Sequence, residues 1–134
     1  MKNIVFKANL FAQESDRVLS QKILLILLEA LVRSNIEYLK KHPSTLKIYK
    51  SGVVYRREDG TEEWKAIPEL LLDGYGDCED LGAWLCAERR MQGYRSKCIL
   101  SYKIYGSMYQ YHVKVYTDGI GVEDPSRVLG MGKD

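Results

Sequence analysis

The sequence predicts an α+β domain with a long N-terminal helix, a second helix in mid-chain, and an antiparallel sheet packed on that second helix. Three observations carry this. Apolar residues recur at helical spacing from Asp16 to Lys41, and a second capped helical stretch runs from Cys78 to Gln92. From Lys97 onward, alternating segments are broken by glycine-containing turns. The chain has 134 residues, 46% of them hydrophobic and 28% charged, which suits one domain (1–134) with a real core and excludes a disordered chain.

The first helix is predicted over Asp16 to Lys41. Ser15 or Asp16 can cap it, Lys40, Lys41 and His42 suit the negative end of its dipole, and His42-Pro43 stops it. Within it, Ile23 to Leu28 makes the helix apolar nearly all the way round. Such a helix is either sandwiched in the core or covered by a partner chain, so an oligomer formed through Ile23–Leu28 stays open. Lys47 to Tyr49 and Val53 to Arg57 read as short strands, with Ser51-Gly52 and Asp59-Gly60 as turns. Pro68 opens a short helix to Leu72, and Asp73-Gly74-Tyr75-Gly76 breaks the chain. The domain thus divides into an N-terminal helical part, 1–45, and a core, 46–134.

The Cys78 helix carries its own start and stop signals. Asp77 is a good N-cap, Asp80 stands where a capping box needs an acceptor, Arg89 and Arg90 suit the far end, and Gly93 provides a left-handed stop. Strands are expected over Lys97 to Tyr105, Tyr109 to Tyr116 and Ile120 to Asp124, with turns at Gly106-Ser107 and near Thr117-Asp118-Gly119.

Several function classes fall away. Lys and Arg number 20 against 18 Asp and Glu, a net charge of +2 with no basic patch or aromatic ladder, so neither nucleic acid nor an anionic membrane is indicated as a partner. The six-residue apolar run is far short of the roughly 20 residues that a membrane span needs. Three cysteines without C-x-x-C spacing offer no zinc knuckle and suit a reducing compartment. Met1 to Asp16 lacks a signal-peptide pattern, and no cofactor is expected.

Three residues form a chemical constellation: Cys78, His112 and Asp124. A cysteine at a helix start faces backbone N–H groups and the positive dipole end, which lowers its pKa; the same groups can hold an oxyanion. Asp77, Glu79 and Asp80 oppose this as like charges and must point away or cap the helix. A cysteine nucleophile needs a base and a group to orient that base. A two-residue Asp118-Gly119 turn would place Asp124 opposite Val113. A three-residue Thr117-Asp118-Gly119 loop would instead put Asp124 directly opposite His112, with Cβ atoms about 5 Å apart. The second register is expected because it alone builds the dyad. The plainer readings are a buried thiol, an ordinary strand histidine, and an aspartate that bonds local backbone before Pro125. Cys86 and Cys98 read as small hydrophobes. A metal bound by Cys78, His112 and Asp124 is disfavoured, since a structural zinc site takes four ligands.

Gly76-Asp77-Cys78-Glu79-Asp80-Leu81, Tyr111-His112-Val113-Lys114-Val115 and Val122-Glu123-Asp124-Pro125-Ser126 follow in the order Cys, His, Asp, spaced by 34 and 12 residues. In this they resemble the transglutaminase-like branch of the papain-type cysteine enzymes, and more narrowly the small stand-alone members encoded by tailed bacteriophages. Tyr49 to Arg57, Glu63-Trp64 to Pro68, and Asp124 to Met131 strengthen the narrower likeness. The resemblance implies a papain/transglutaminase-like core with catalytic Cys78, His112 and Asp124. Papain-type enzymes carry a Gln shortly before the Cys; Leu72 stands six residues before Cys78, so that helper is missing. Transglutaminases use an upstream aromatic, for which Trp64 or Tyr75 is available, and Asp77 is a further auxiliary position. The implied activity is amide or peptide hydrolysis by acyl transfer. Alternatives are a protein-crosslinking transglutaminase and a non-catalytic assembly module of a phage particle. The implied partners are a peptide or protein amide substrate, or phage structural proteins, in the host bacterial cytoplasm or the virion.

Overall fold

Helix α1 runs from Arg17 to Lys41. The structure, a computed structural model, describes residues 17–57, 63–106 and 108–132. The expected cap at Ser15 or Asp16, the reading of Met1 to Asp16, the Asp59-Gly60 turn and Ser107 lie outside these residues. The inner stripe of α1 buries Ser20, Leu24, Leu28, Val32 and Asn35, one face at helical spacing. The apolar run is not sandwiched: Ile26, opposite that stripe, is 68% exposed. One side of α1 packs on the core and the other is open.

Lys47 to Tyr49 do not form the expected strand; Ile48–Lys50 is a single 3-10 turn. Ile48 N–H donates to Glu88 Oε1 at 2.8 Å, and Ser51 Oγ donates to the Ile48 carbonyl at 2.7 Å. These bonds satisfy backbone groups that a strand partner would otherwise take. Strand β1, Val54–Tyr55, pairs in parallel with β2, Tyr75–Gly76. Helix α2, Ile67–Asp73, starts without a side-chain cap of its own, because its N-cap residue is Ala66. Asn35 of α1 takes that role from a distance, its Oδ1 accepting from Ile67 N–H at 3.0 Å. Gly74, at φ 83°, ends α2.

Helix α3, Cys78–Met91, is the core element. Every residue from Cys78 to Glu88 is buried, and Trp84 is the largest fully buried side chain. A β-carbon on Gly82 would stand 2.7 Å from Val113 Cγ1, so only glycine lets α3 lie this close to the sheet. That sheet holds β3 (Ser96–Tyr105), β4 (Met108–Thr117) and β5 (Gly121–Glu123), antiparallel in the order β3-β4-β5. Val113 and Val115 of the central strand are buried toward α3. The class is therefore α+β, with a long N-terminal helix and an antiparallel sheet.

The β4–β5 register differs from the expected one. Val115 faces Glu123 and Thr117 faces Gly121, so the three-residue connection is Asp118-Gly119-Ile120 and Asp124 does not stand directly opposite His112. Thr117 belongs to the strand because its buried hydroxyl bonds Ser96 Oγ of β3 at 2.9 Å. The slip is two residues, which preserves the faces of the strands. Asp124 and His112 therefore remain diagonal neighbours on one side. Two arginine forks brace the assembly. Arg89 grips Glu123 at 2.9 and 2.7 Å, and Arg90 grips Glu29 of α1 at 2.7 Å through each of two nitrogens. Among the described residues, no helix is long and apolar enough to cross a membrane.

Candidate active site

The start of α3 is built by two carboxylates. Asp77 has extended backbone, and its Oδ1 accepts from Cys78 N–H at 2.7 Å. The capping box is complete: the Asp77 side chain also accepts from the Asp80 backbone, while Asp80 Oδ2 accepts from Asp77 N–H at 3.0 Å. Asp80 Oδ1 accepts from Lys65 N–H at 2.7 Å. One fully buried side chain thus ties the segment carrying Trp64 to the start of α3.

Burial pushes the Asp80 carboxyl above its ordinary range, against the two N–H bonds that favour the ion. A folded-state pKa raised above the unfolded value of about 4 means stability that is present at low pH and lost as pH rises through the folded value. The wild-type protein should therefore lose stability from about pH 4 upward through this group, and Asp80→Asn should lack that slope. Urea unfolding at a series of pH values checks this; equal slopes in the two proteins would contradict it.

Cys78 lies among Leu24 and Leu28 of α1 and Val113 of β4, with Trp64 and Tyr111 against the same cluster. It is 8% exposed. The Val113 backbone N–H is the nearby group that favours its thiolate. The thiol itself donates to Glu79 Oε2 at 3.3 Å. The expected lowering of its pKa is overturned. Burial pushes the thiol up, followed by the Glu79 and Asp77 carboxylates, and the Val113 N–H only partly opposes them. Burial in the apolar cluster is the main reason, and the cap adds to it: Asp77 takes the Cys78 and Asp80 N–H groups that were expected to serve a thiolate or an oxyanion.

The structure brings His112 and Asp124 together, with Nε2 2.8 Å from Oδ2 and both side chains largely buried. Strand β5 ends at Glu123, and Asp124 opens α4, Pro125–Val128. Its Oδ1 accepts from Arg127 N–H at 3.4 Å, so Asp124 makes the local backbone bond and the histidine bond at once. The Arg89–Glu123 fork fixes the preceding residue, and Pro125 and Ser126 are buried behind it. Among the described residues, no hydrogen bond joins Cys78 to His112 and none engages His112 Nδ1.

The auxiliary positions separate. Trp64 packs against the cluster that includes Cys78, whereas the Tyr75 ring is engaged by Lys65 Nζ at 3.9 Å and the Arg56 guanidinium at 4.4 Å from its centroid. Asp77 caps α3. Sequence reasoning missed Tyr55, whose phenol is pushed up to about 12 by burial and then by the nearby Asp77, Cys78 and Glu79. It also missed Glu79 as the thiol's acceptor and Tyr111 as a wall. Among the described residues, the metal-type donors that converge are Asp77, Cys78 and Glu79, with one ligand atom of each within 4.8 Å of the others. They are not the set Cys78, His112 and Asp124. All three cysteines are free, and Cys98 of β3 packs against the core cluster that holds Cys86 of α3. Compared with known protein families, curated proteins and solved structures, the chain has no match in any of the three.

Proposed function

We propose that this chain is a cysteine-nucleophile acyl-transfer enzyme with a papain/transglutaminase-like core, which hydrolyses a peptide or protein amide through Cys78, His112 and Asp124. The observation that carries the reading is the 2.8 Å bond from His112 Nε2 to Asp124. It occupies the ring nitrogen distant from the main chain and leaves Nδ1 to receive a proton. Sγ attacks the amide carbon while Nδ1 takes the thiol proton. The C–N bond then breaks and the amine leaves with that proton, giving a thioester. Water attacks the thioester, His112 accepts its proton, the acid departs and the thiol is restored. Asp124 holds the imidazole tautomer and stabilises the imidazolium. Since Cys78 N–H is engaged by Asp77, the indole N–H of Trp64 is the candidate oxyanion donor.

Hydrolysis is favoured over crosslinking because water needs no separate acceptor channel, which a short chain has little material to build. A second reading, a non-catalytic assembly module of a phage particle, is favoured by the burial of Cys78 and by the open apolar face of α1 at Leu19 and Ile26. Its partners would be phage structural proteins or a second copy of the chain, in the host cytoplasm or the virion. Incubating the protein with peptide amides, with and without a lysine-type amine, and weighing the products tests all three. Hydrolysed amide is expected, absent with Cys78→Ala. Amine-linked product would indicate crosslinking. No turnover, or equal turnover by both proteins, would reject the enzyme reading.

A further inference from the structure

Glu79 follows the nucleophile, yet its side chain turns inward: it is 7% exposed, and its Oε2 lies 3.3 Å from Cys78 Sγ. Consecutive helix residues do not ordinarily face each other. Here the cluster of Leu24, Leu28, Trp64 and Val113 closes over the thiol, and Glu79 shares its enclosure. The geometry points to Glu79 as a positioning residue that holds the Cys78 S–H away from His112 until a bound amide takes its place on the carboxylate. The inference rests on Cys78 being the nucleophile.

The chemistry is an exchange of donors. A carboxylate only accepts hydrogen bonds, and in the free protein the thiol supplies one. The N–H of an amide whose carbonyl approaches Sγ is a better donor than S–H. Once that N–H bonds Oε2, the thiol proton is free to turn toward His112 Nδ1, which has no hydrogen bond among the described residues. The enzyme then makes a reactive nucleophile only when an amide is bound, and the resting thiol is protected from stray electrophiles. Among the described residues, Asp77 caps the same helix, Tyr55 of β1 and Tyr111 of β4 lie around the thiol, and α1 contributes apolar Leu24 and Leu28. Glu79 is the group in direct hydrogen-bond contact with the thiol.

The test is the pH profile of iodoacetamide alkylation at Cys78, read by peptide mass spectrometry, with buried Cys86 as internal control. Glu79→Gln keeps the shape and removes the charge. It should move the profile about one pH unit lower, which is about tenfold faster alkylation at pH 7.5. Glu79→Asp keeps the charge and should stay near the wild-type profile, separating charge from packing. Coincident wild-type and Glu79→Gln profiles, or a shift to higher pH, would overturn the inference. Repeating the pair in His112→Ala separates the two proposals. A shift that persists there upholds the restraint by Glu79 while removing support from the Cys78–His112 pairing. A shift seen only with His112 present supports both.

Discussion

Replacing Cys78 or His112 with Ala should lower amide turnover by at least about 10⁴-fold and leave the fold intact. The two losses should not add, because nucleophile and base act as one unit. Neither change removes much packing: Cys78→Ala deletes one sulfur, and His112 lies on the sheet side away from the valines packed on α3. Asp124 needs a subtler substitution. Its carboxylate holds His112 and caps α4, so Asp124→Ala would mix a catalytic loss with a cap loss of about 1 kcal/mol. Asp124→Asn keeps a good capping side chain and removes the charge that favours the imidazolium. It should reduce kcat/KM by about 10²–10⁴-fold with stability nearly unchanged. Parallel measurement of kcat/KM and urea unfolding for the three variants checks both halves.

Trp84→Ala should be the most destabilising single truncation, by about 3–5 kcal/mol, against a typical domain stability of about 5–15 kcal/mol. The ring is wholly enclosed in the core around α3, together with Leu81, Leu85, Ile67 and Val115. Truncation therefore opens a cavity that well-packed neighbours cannot fill. Its indole N–H has no partner among the described residues. Trp84→Phe, which fills most of the space and removes that unpaired donor, should recover most of the loss. Urea midpoints order the three proteins as wild type, Phe, Ala; a Trp84→Ala midpoint within a few tenths of a molar of wild type would contradict the packing account.

What was legible in the sequence was what neighbouring residues decide. Asp77 and Asp80 announced the start of α3, Gly93 its stop, and Pro68 the first turn of α2, because caps and breakers act within a turn. Strand alternation placed His112 and Asp124 on one side, since parity survives a two-residue slip. The register itself was hidden, because Thr117 is kept in its strand by Ser96, twenty-one residues away. Ile48 was read as strand because nothing nearby shows that Glu88 of α3 takes its N–H. Likewise, an apolar run that circles α1 cannot reveal which side the core covers; Asn35 bonding Ile67 and Arg90 gripping Glu29 decide that. Glu79 was legible as a charge opposing the thiolate, but its bond to the thiol depends on walls from α1 and β4.

A nucleophilic Cys78 served by His112 would be acylated by an activated ester. The most direct measurement is to mix the protein with p-nitrophenyl acetate, quench in acid within seconds, and locate acetyl groups by peptide mass spectrometry. An acetyl thioester is expected on Cys78 in the wild type, absent from Cys86 and Cys98 and lost in His112→Ala. An unmodified Cys78, or equal acetylation with and without His112, would contradict it.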